Sequence, residues 1–221
     1  MTFCLLVVAK APVPGFAKTR LCPPATDTQA AEIAACALLD TLEVVFETPG
    51  AVPVVAMTGD LGAAAQGAEI GRALRKATVI AQRGWDFGSR LANAHADTAV
   101  VHVGLPVLQI GMDTPQVSPE LLAAAIAPVV AGTHGAVLGR AEDGGWWGLG
   151  LADPTYAQVL AGVPMSRPDT GARTREALAG LQVGELPVLS DVDTMADARK
   201  VAALRPGSRF ATAVDVVRVA A

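Results

Sequence analysis

The sequence predicts an α/β fold with a mostly parallel, Rossmann-like sheet and helices on both faces. Short apolar runs alternate with helical patterns along most of the chain, which is typical of parallel strands joined by crossover helices. The first run, residues 3–9, reads FCLLVVA and has no polar alternation, so it suits a strand buried on both faces. At 221 residues the chain is long enough for one complete core. We expect a single domain over residues 1–204 and assign no packing to residues 205–221.

Periodicity and capping residues place the later elements. Thr26 or Asp27 caps a first helix that ends near residue 47, and Ser118 opens a central one that ends near residue 130. Residues 191–194 cap a last helix that ends near residue 204. Short apolar or extended runs predict strands at residues 52–57, 78–82, 107–111, 135–140, 146–151 and 183–189. Helical patterns occupy residues 88–101, 154–162 and 173–181, and residues 60–76 fit a helix or an irregular connection.

Composition excludes several classes of protein. The net charge is −4 and no long basic block occurs, which argues against a nucleic-acid-binding protein. No apolar stretch reaches the ~18 to 20 residues of a membrane span, and the N-terminal run does not resemble a signal peptide. The three cysteines, Cys4, Cys22 and Cys36, have no metal-binding spacing. We therefore expect a cytoplasmic enzyme that acts on small molecules, and homo-oligomer formation stays open.

A basic loop follows the first strand. It contains Pro14 and Gly15 and carries Lys10, Lys18 and Arg20, in a chain with only four lysines. Cations at the carboxyl end of a buried strand are well placed to hold phosphates. Neither the P-loop nor the GxGxxG pattern is present, so this would be a loop that acts through side-chain charge. The alternative is a solvated turn with scattered basic residues.

Two aspartates follow predicted strands. Asp113 stands before Thr-Pro at the end of the strand at residues 107–111, and Asp193 stands before the last helix. Carboxylates opposite a basic loop can hold Mg²⁺ together with phosphate oxygens. Each could instead cap a turn or a helix. Trp146 and Trp147 follow a double glycine, where they could line a pocket for an acceptor or pack in the core.

Six stretches resemble a little-characterised bacterial family of GT-A fold that is grouped with the nucleotide-diphospho-sugar transferases. They read LLVVAKAPVPGFAKTRL, QRGWDFGSRL, IGMDTP, AEDGGWWGLGL, PDTGARTREAL and DVDTMADA, and the resemblance extends to about residue 204. Some members are described as glycosyltransferases, including in arsenosugar pathways. The KTRL loop, the Asp-Thr-Pro motif and the final VDT also resemble phospholactate guanylyltransferases and sugar-acid cytidylyltransferases.

The resemblance implies a metal-dependent transferase with Mg²⁺ (or Mn²⁺) held by Asp113 and Asp193. The implied catalytic groups are Lys10, Lys18, Arg20 and Asp113. The implied nucleotide-binding residues are Ala9, Lys10, Pro14, Gly15, Lys18, Arg20, Gln82, Gly84, Gly88 and Arg90. The implied acceptor-binding residues are Asp143, Gly144, Gly145, Trp146 and Trp147. The chain departs from the family in two places, since Trp146-Trp147 replaces a common Tyr-Tyr pair and Met195 replaces a common proline.

Two reactions fit these features, and a non-catalytic nucleotide-binding module is a third reading. The first reaction transfers a nucleoside monophosphate from a nucleoside triphosphate to a small phosphorylated or acidic acceptor, with release of pyrophosphate. The second transfers a sugar from a nucleotide-sugar. We favour the first because three loop cations suit a departing pyrophosphate. The single aspartate before Thr-Pro also differs from the DxD motif of many GT-A glycosyltransferases.

Overall fold

The computed structural model describes residues 2–217, and these contain one sheet of seven strands. The strands are β1 (Phe3–Lys10), β2 (Ala51–Thr58), β3 (Thr78–Ala81), β4 (Val107–Gly111), β5 (Ala136–Arg140), β6 (Trp146–Leu151) and β7 (Val183–Glu185). Their order in the sheet is β3-β2-β1-β4-β6-β5-β7. Strand β6 runs antiparallel to β4 and β5, and the other pairings are parallel, so the predicted mostly parallel α/β fold is confirmed.

Seven α-helices lie within the described residues. They are α1 (Asp27–Glu47), α2 (Gly67–Leu74), α3 (Phe87–Val101), α4 (Pro119–Val130), α5 (Thr170–Ala177), α6 (Met195–Leu204) and α7 (Arg209–Asp215). Short 3-10 helices cover Thr19–Leu21, Leu61–Ala63 and Pro154–Gly162. In that part of the chain, no helix has the length and apolar character needed to cross a membrane.

Strand β1 lies in the middle of the sheet and is buried on both faces, as its unbroken apolar run predicts. Phe3, Leu5 and Val7 belong to the core cluster under α1, α2 and α4. Cys4 and Leu6 belong to the cluster under α3 on the other face. The alternation follows from the two-residue period of a strand. Because β1 is fixed from both sides, the loop that leaves its carboxyl end starts from a rigid point.

The short helix predicted over residues 154–162 is present, as a 3-10 helix. Two other expectations need correction, since α5 begins at Thr170 rather than at residue 173 and β7 ends at Glu185 rather than at residue 189. The segment after β7 instead makes one isolated bridge, Ala141 with Leu189, which leaves residues 186–193 extended and irregular. This irregular segment carries Asp193, one of the two predicted metal ligands.

The segment after residue 204, which had no predicted packing, contains α7. Phe210 is fully buried, and its backbone N–H donates to Asp40 on α1 at 2.9 Å. Arg209 of α7 forms a salt bridge with Glu43 of α1 at 2.8 Å. The helix therefore covers α1 and α6 on the side away from the sheet. Residues 218–221 lie outside the described residues.

Candidate active site

Lys18 connects three segments at the carboxyl edge of the sheet. Its backbone is left-handed (φ 49°), which turns the end of the basic loop toward β4. The ammonium donates to Asp113 Oδ2 at 2.8 Å and to the carbonyl oxygen of Val192, and it lies 3.6 Å from Asp193 Oδ1. Only 16% of the side chain is exposed. Burial disfavours the charged ammonium, yet Asp113, Asp193 and Asp191 outweigh it and raise the pKa of Lys18.

The other two loop cations take different positions. Arg20 reaches Asp193 Oδ2 at 3.1 Å, and 74% of its side chain is exposed, so its guanidinium keeps free donors toward the cleft. The Lys10 ammonium instead donates to the carbonyl oxygen of Phe16 at 2.9 Å and closes the loop across Pro14 and Gly15. The structure thus brings Lys18 and Arg20 to the two aspartates and leaves Lys10 outside this network.

Backbone hydrogen bonds fix the segment that carries Asp193. The Val192 N–H donates to Asp113 O at 3.1 Å, the Glu142 N–H donates to Leu189 O at 3.0 Å, and the Gln116 side chain donates to Ser190 O at 2.6 Å. Residues 189–193 are therefore held between the loop after β4 and the loop after β5. Thr194 then caps α6 in a capping box, so the N-cap residue is the threonine and the Asp193 side chain does not serve as the helix cap.

Asp191 is a further candidate residue that sequence reasoning missed. Its Oδ1 atom is buried and has no hydrogen-bond partner among residues 2–217. Burial, with Asp113 and Asp143 nearby, raises the pKa of Asp191 to about 8, and Lys18 opposes this rise. The two-residue spacing of Asp191 and Asp193 could have indicated this position, because side chains two residues apart in an extended segment face the same way. Val192 between them is buried in the core, so Asp191 and Asp193 both face the cleft.

The predicted nucleotide-binding residues after β3 lie in a loop that is held by hydrogen bonds and close packing. The Gln82 amide donates to Ala9 O at 2.8 Å and Ala56 O at 2.9 Å, which ties the ends of β1 and β2 together. Gly84 has a φ of +137°, and a Cβ on Gly88 would overlap the carbonyl oxygen of Leu160. Arg90 lies 6.0 Å from the Phe87 ring. This loop starts beside the end of β1, and it presents a fully exposed Trp85.

The predicted acceptor residues separate into two groups. Asp143, Gly144 and Gly145 form a tight turn, in which the Gly145 N–H donates to Asp143 Oδ1 at 2.8 Å and Gly144 has a φ of +88°. Trp146 begins β6 and is half-buried. Trp147 is buried against Gly139, and its indole N–H donates to Pro187 O at 2.8 Å. The structure therefore places Trp147 in the core, where packing and a satisfied N–H account for it.

Beside the network lies a cleft of about 220 Å³ with an acidic lining. The residues that line it are Glu142, Asp143, Ser190, Asp191, Asp193 and Asp197. Two of the carboxylates are already engaged, because Glu142 pairs with Lys200 at 2.7 Å and Asp197 accepts from Thr194. Asp193 pairs with Arg20 and Lys18, and Asp143 accepts from the Gly145 N–H, so the cleft keeps an acidic lining. The raised pKa of Asp191 favours its neutral form near pH 7.

The donor set agrees with a hard divalent cation. Carboxylate oxygens are the ligands that Mg²⁺ and Mn²⁺ prefer, and the described residues supply no partner for the buried Asp191 oxygen. Across residues 2–217, no cluster of three or more carboxylate, imidazole or thiolate side chains is arranged as a metal centre. The protein would thus supply one or two carboxylates, which suits Mg²⁺ sites that are completed by phosphate and water.

Comparison with known proteins agrees with this architecture. A family described as uncharacterised proteins conserved in bacteria (DUF2064) matches residues 41–167, which is more than half of the chain. The chain belongs to this family. No curated protein sequence matches this DUF2064 protein.

Three solved structures are similar to the DUF2064 protein over most of its length. A protein from Desulfovibrio desulfuricans G20, described provisionally as a nucleotide-diphospho-sugar transferase, is 25% identical over 100% of both chains, with a TM-score of 0.81. A Leptospira borgpetersenii cytidylyltransferase is 14% identical over 98% of this chain and 94% of its own, with a TM-score of 0.59. Rv0371c of Mycobacterium tuberculosis H37Rv, in complex with manganese, is 23% identical over 90% and 98%, with a TM-score of 0.54. The last two show the fold alone.

Proposed function

We propose that this DUF2064 protein is a metal-dependent nucleotidyltransferase that moves a nucleoside monophosphate from a nucleoside triphosphate to a small acceptor. The observation that carries the proposal is the network at the carboxyl edge, where Lys18 and Arg20 meet Asp113 and Asp193. Ligands of open α/β sheets bind at this edge. A site with two cations and two carboxylates can hold both a triphosphate and a divalent ion.

In this proposal the acceptor oxygen forms a bond to the α-phosphorus while the bond from that phosphorus to the bridging oxygen of the β-phosphate breaks. Pyrophosphate then leaves with developing negative charge, which Lys18 and Arg20 offset. Arg20 suits this role because it is exposed and carries a planar fork of donors. Lys10, Pro14 and Gly15 would shape the loop around the phosphates. Gln82, Gly84, Gly88 and Arg90 would support the nucleotide side of the cleft beside Ala9.

Asp113 and Asp193 would hold Mg²⁺ or Mn²⁺, and Asp191 lines the acidic cleft beside Asp193. When bound, such an ion neutralises phosphate oxygens and thereby favours in-line displacement. Asp113 and Asp193 bring this chemistry to the junction of the basic loop and the acidic cleft. Both are partly exposed, as ligands that receive a substrate-bound ion need to be.

The acceptor would enter beside Asp143, Gly144, Gly145 and Trp146. Acidic side chains predominate in the lining of this cleft, so a phosphorylated or acidic acceptor would bind there only with a cation that offsets their charge. A neutral or amino-bearing acceptor would need no such compensation. The acceptor panel in an assay therefore has to include all three classes.

Glycosyl transfer from a nucleotide-sugar is the second candidate. It is favoured by the full-length similarity to the protein from D. desulfuricans that is described as a nucleotide-diphospho-sugar transferase. Both reactions would use the same cations and carboxylates, and they differ in the bond that breaks.

The test is product analysis with Mg²⁺ or Mn²⁺. Each of the four nucleoside triphosphates is incubated with phosphorylated acids, sugar phosphates, neutral polyols and amino sugars, and pyrophosphate is measured. Nucleotide-sugars are incubated with the same panel, and free nucleoside diphosphate is measured. Pyrophosphate that depends on one acceptor supports the proposal, whereas turnover of nucleotide-sugars alone would replace it with the glycosyltransferase reading.

A further inference from the structure

The ammonium of Lys18 occupies the position between the two carboxylates that would bind the metal. It is 2.8 Å from Asp113 and 3.6 Å from Asp193, and its third neighbour is the carbonyl oxygen of Val192. An ammonium has three N–H donors and no acceptor. Two donors are used by Asp113 and the Val192 carbonyl oxygen, and Asp193 at 3.6 Å is an ion-pair partner beyond hydrogen-bond distance. Protein oxygens therefore engage most of the ammonium while this arrangement persists.

We propose that Lys18 is a built-in occupant of the cation position, and that a divalent ion and the Lys18 ammonium bind there in mutual exclusion. The inference rests on the proposed function only in taking Asp113 and Asp193 as the metal ligands. An ion that contacts both carboxylates would approach the ammonium to within a few ångströms. At that distance two positive charges repel strongly in a partly buried site.

If Lys18 leaves, the Val192 carbonyl oxygen loses a donor, but the segments around the site keep other bonds. Asp113 and the 189–193 segment are held by backbone hydrogen bonds that do not involve Lys18. The lysine side chain is a flexible four-carbon stem, so the ammonium can swing out while the backbone stays in place. The phosphates of a nucleotide would give the displaced ammonium a new anionic partner. Metal and triphosphate would therefore assist each other's binding.

The first measurement is Mn²⁺ affinity without any nucleotide, read from the electron paramagnetic resonance signal of the free ion. Lys18→Met should bind Mn²⁺ about tenfold more tightly than the wild type, as expected if about one molecule in ten has the site open to the ion. Lys76→Met is the control, because it removes one positive charge from a lysine whose ammonium lies over the Phe46 ring rather than beside an aspartate. It should bind Mn²⁺ like the wild type.

The second measurement uses the wild-type protein and does not depend on the stability of a variant. Lysine acylation by an activated acetate ester is mapped by mass spectrometry with and without saturating Mn²⁺. Lys18, which is ion-paired and mostly buried, should become several-fold more reactive when Mn²⁺ binds, relative to Lys76 in the same molecules. An ion that binds without changing the labelling of Lys18 would overturn the inference, and so would Mn²⁺ affinities that are equal in Lys18→Met and the wild type.

The outcomes separate this inference from the proposed function. If Mn²⁺ binds equally to Lys18→Met and to the wild type, the inference fails while nucleotidyl transfer can still be measured. If Mn²⁺ displaces Lys18 but no nucleotide is turned over, the proposed function fails and the inference holds. If neither protein binds Mn²⁺, the exclusion of a metal by Lys18 is refuted.

Discussion

His95 should make the protein lose stability as the pH falls below neutrality. The imidazole is completely buried on α3. Within the described part of the chain, neither ring nitrogen has a hydrogen-bond partner, and the Oε1 atom of Gln109 has none either. Burial lowers the pKa of His95 from 6.5 to about 4, with Gln109 opposing the shift. The folded protein therefore resists protonation at a pH where the unfolded chain accepts the proton.

The sign and the size follow from linkage. A histidine with a lowered folded-state pKa costs no stability above the unfolded pKa of 6.5, and stability is lost as the pH falls from 6.5 toward 4. Each unit of pKa difference corresponds to about 1.4 kcal/mol, so the loss amounts to about 3 kcal/mol at pH 4. That is a large share of the ~5 to 15 kcal/mol that stabilises an ordinary domain.

The assay is urea unfolding of the wild type, His95→Gln and His102→Gln at about pH 7 and pH 4. Glutamine at position 95 stays polar and neutral, so the His95 variant should lose about 3 kcal/mol less stability between the two pH values than the wild type. His102, which bonds Thr78 on the half-buried side of β3, is the control for replacing a histidine outside the core. If the His95 and His102 variants lose stability equally, the reasoning about the buried imidazole is refuted.

Three further predictions concern the candidate site. Asp113→Asn should abolish metal-dependent turnover. The unfolding free energy should change by less than about 1 kcal/mol, because the Asp113 carboxylate is partly exposed. A loss of several kcal/mol would indicate a structural role for Asp113 instead. Arg20→Lys should weaken triphosphate binding, since the point charge of lysine does not replace the planar fork of donors of arginine. The melting temperature should not change, because Arg20 is exposed. Equal nucleotide affinity of the variant and the wild type by calorimetry would remove Arg20 from the site. Gly144→Ala should lower the unfolding free energy by about 1 to 3 kcal/mol and reduce turnover, because Gly144 has a positive φ and a Cβ there would overlap the carbonyl oxygen of Pro168. Gly180→Ala is the control, since a Cβ at Gly180 would meet open space, and it should leave stability and turnover unchanged.

The strands of the sheet could be predicted because each one consists of a short apolar or extended run that is visible in its own residues. The unbroken run of β1 and the strand ends at Asp113 and Asp143 could be read without knowing what lies beside them. The end of β7 and the packing of α7 could not be read in this way. Both depend on contacts between residues far apart in the chain, such as Phe210 with Asp40 and Ala141 with Leu189.

The charged site shows the same division between local and distant information. The sequence places Lys18 and Arg20 on one loop and Asp113 after another strand, but it does not state which cation meets which carboxylate. That pairing is decided by the left-handed turn at Lys18 and by the backbone bond from Val192 to Asp113, which bring three separated segments to one point. A lysine assigned to phosphate from its neighbours in sequence thus lies between two aspartates in space. The loop and the metal ligands therefore have to be understood as one electrostatic unit rather than as two motifs.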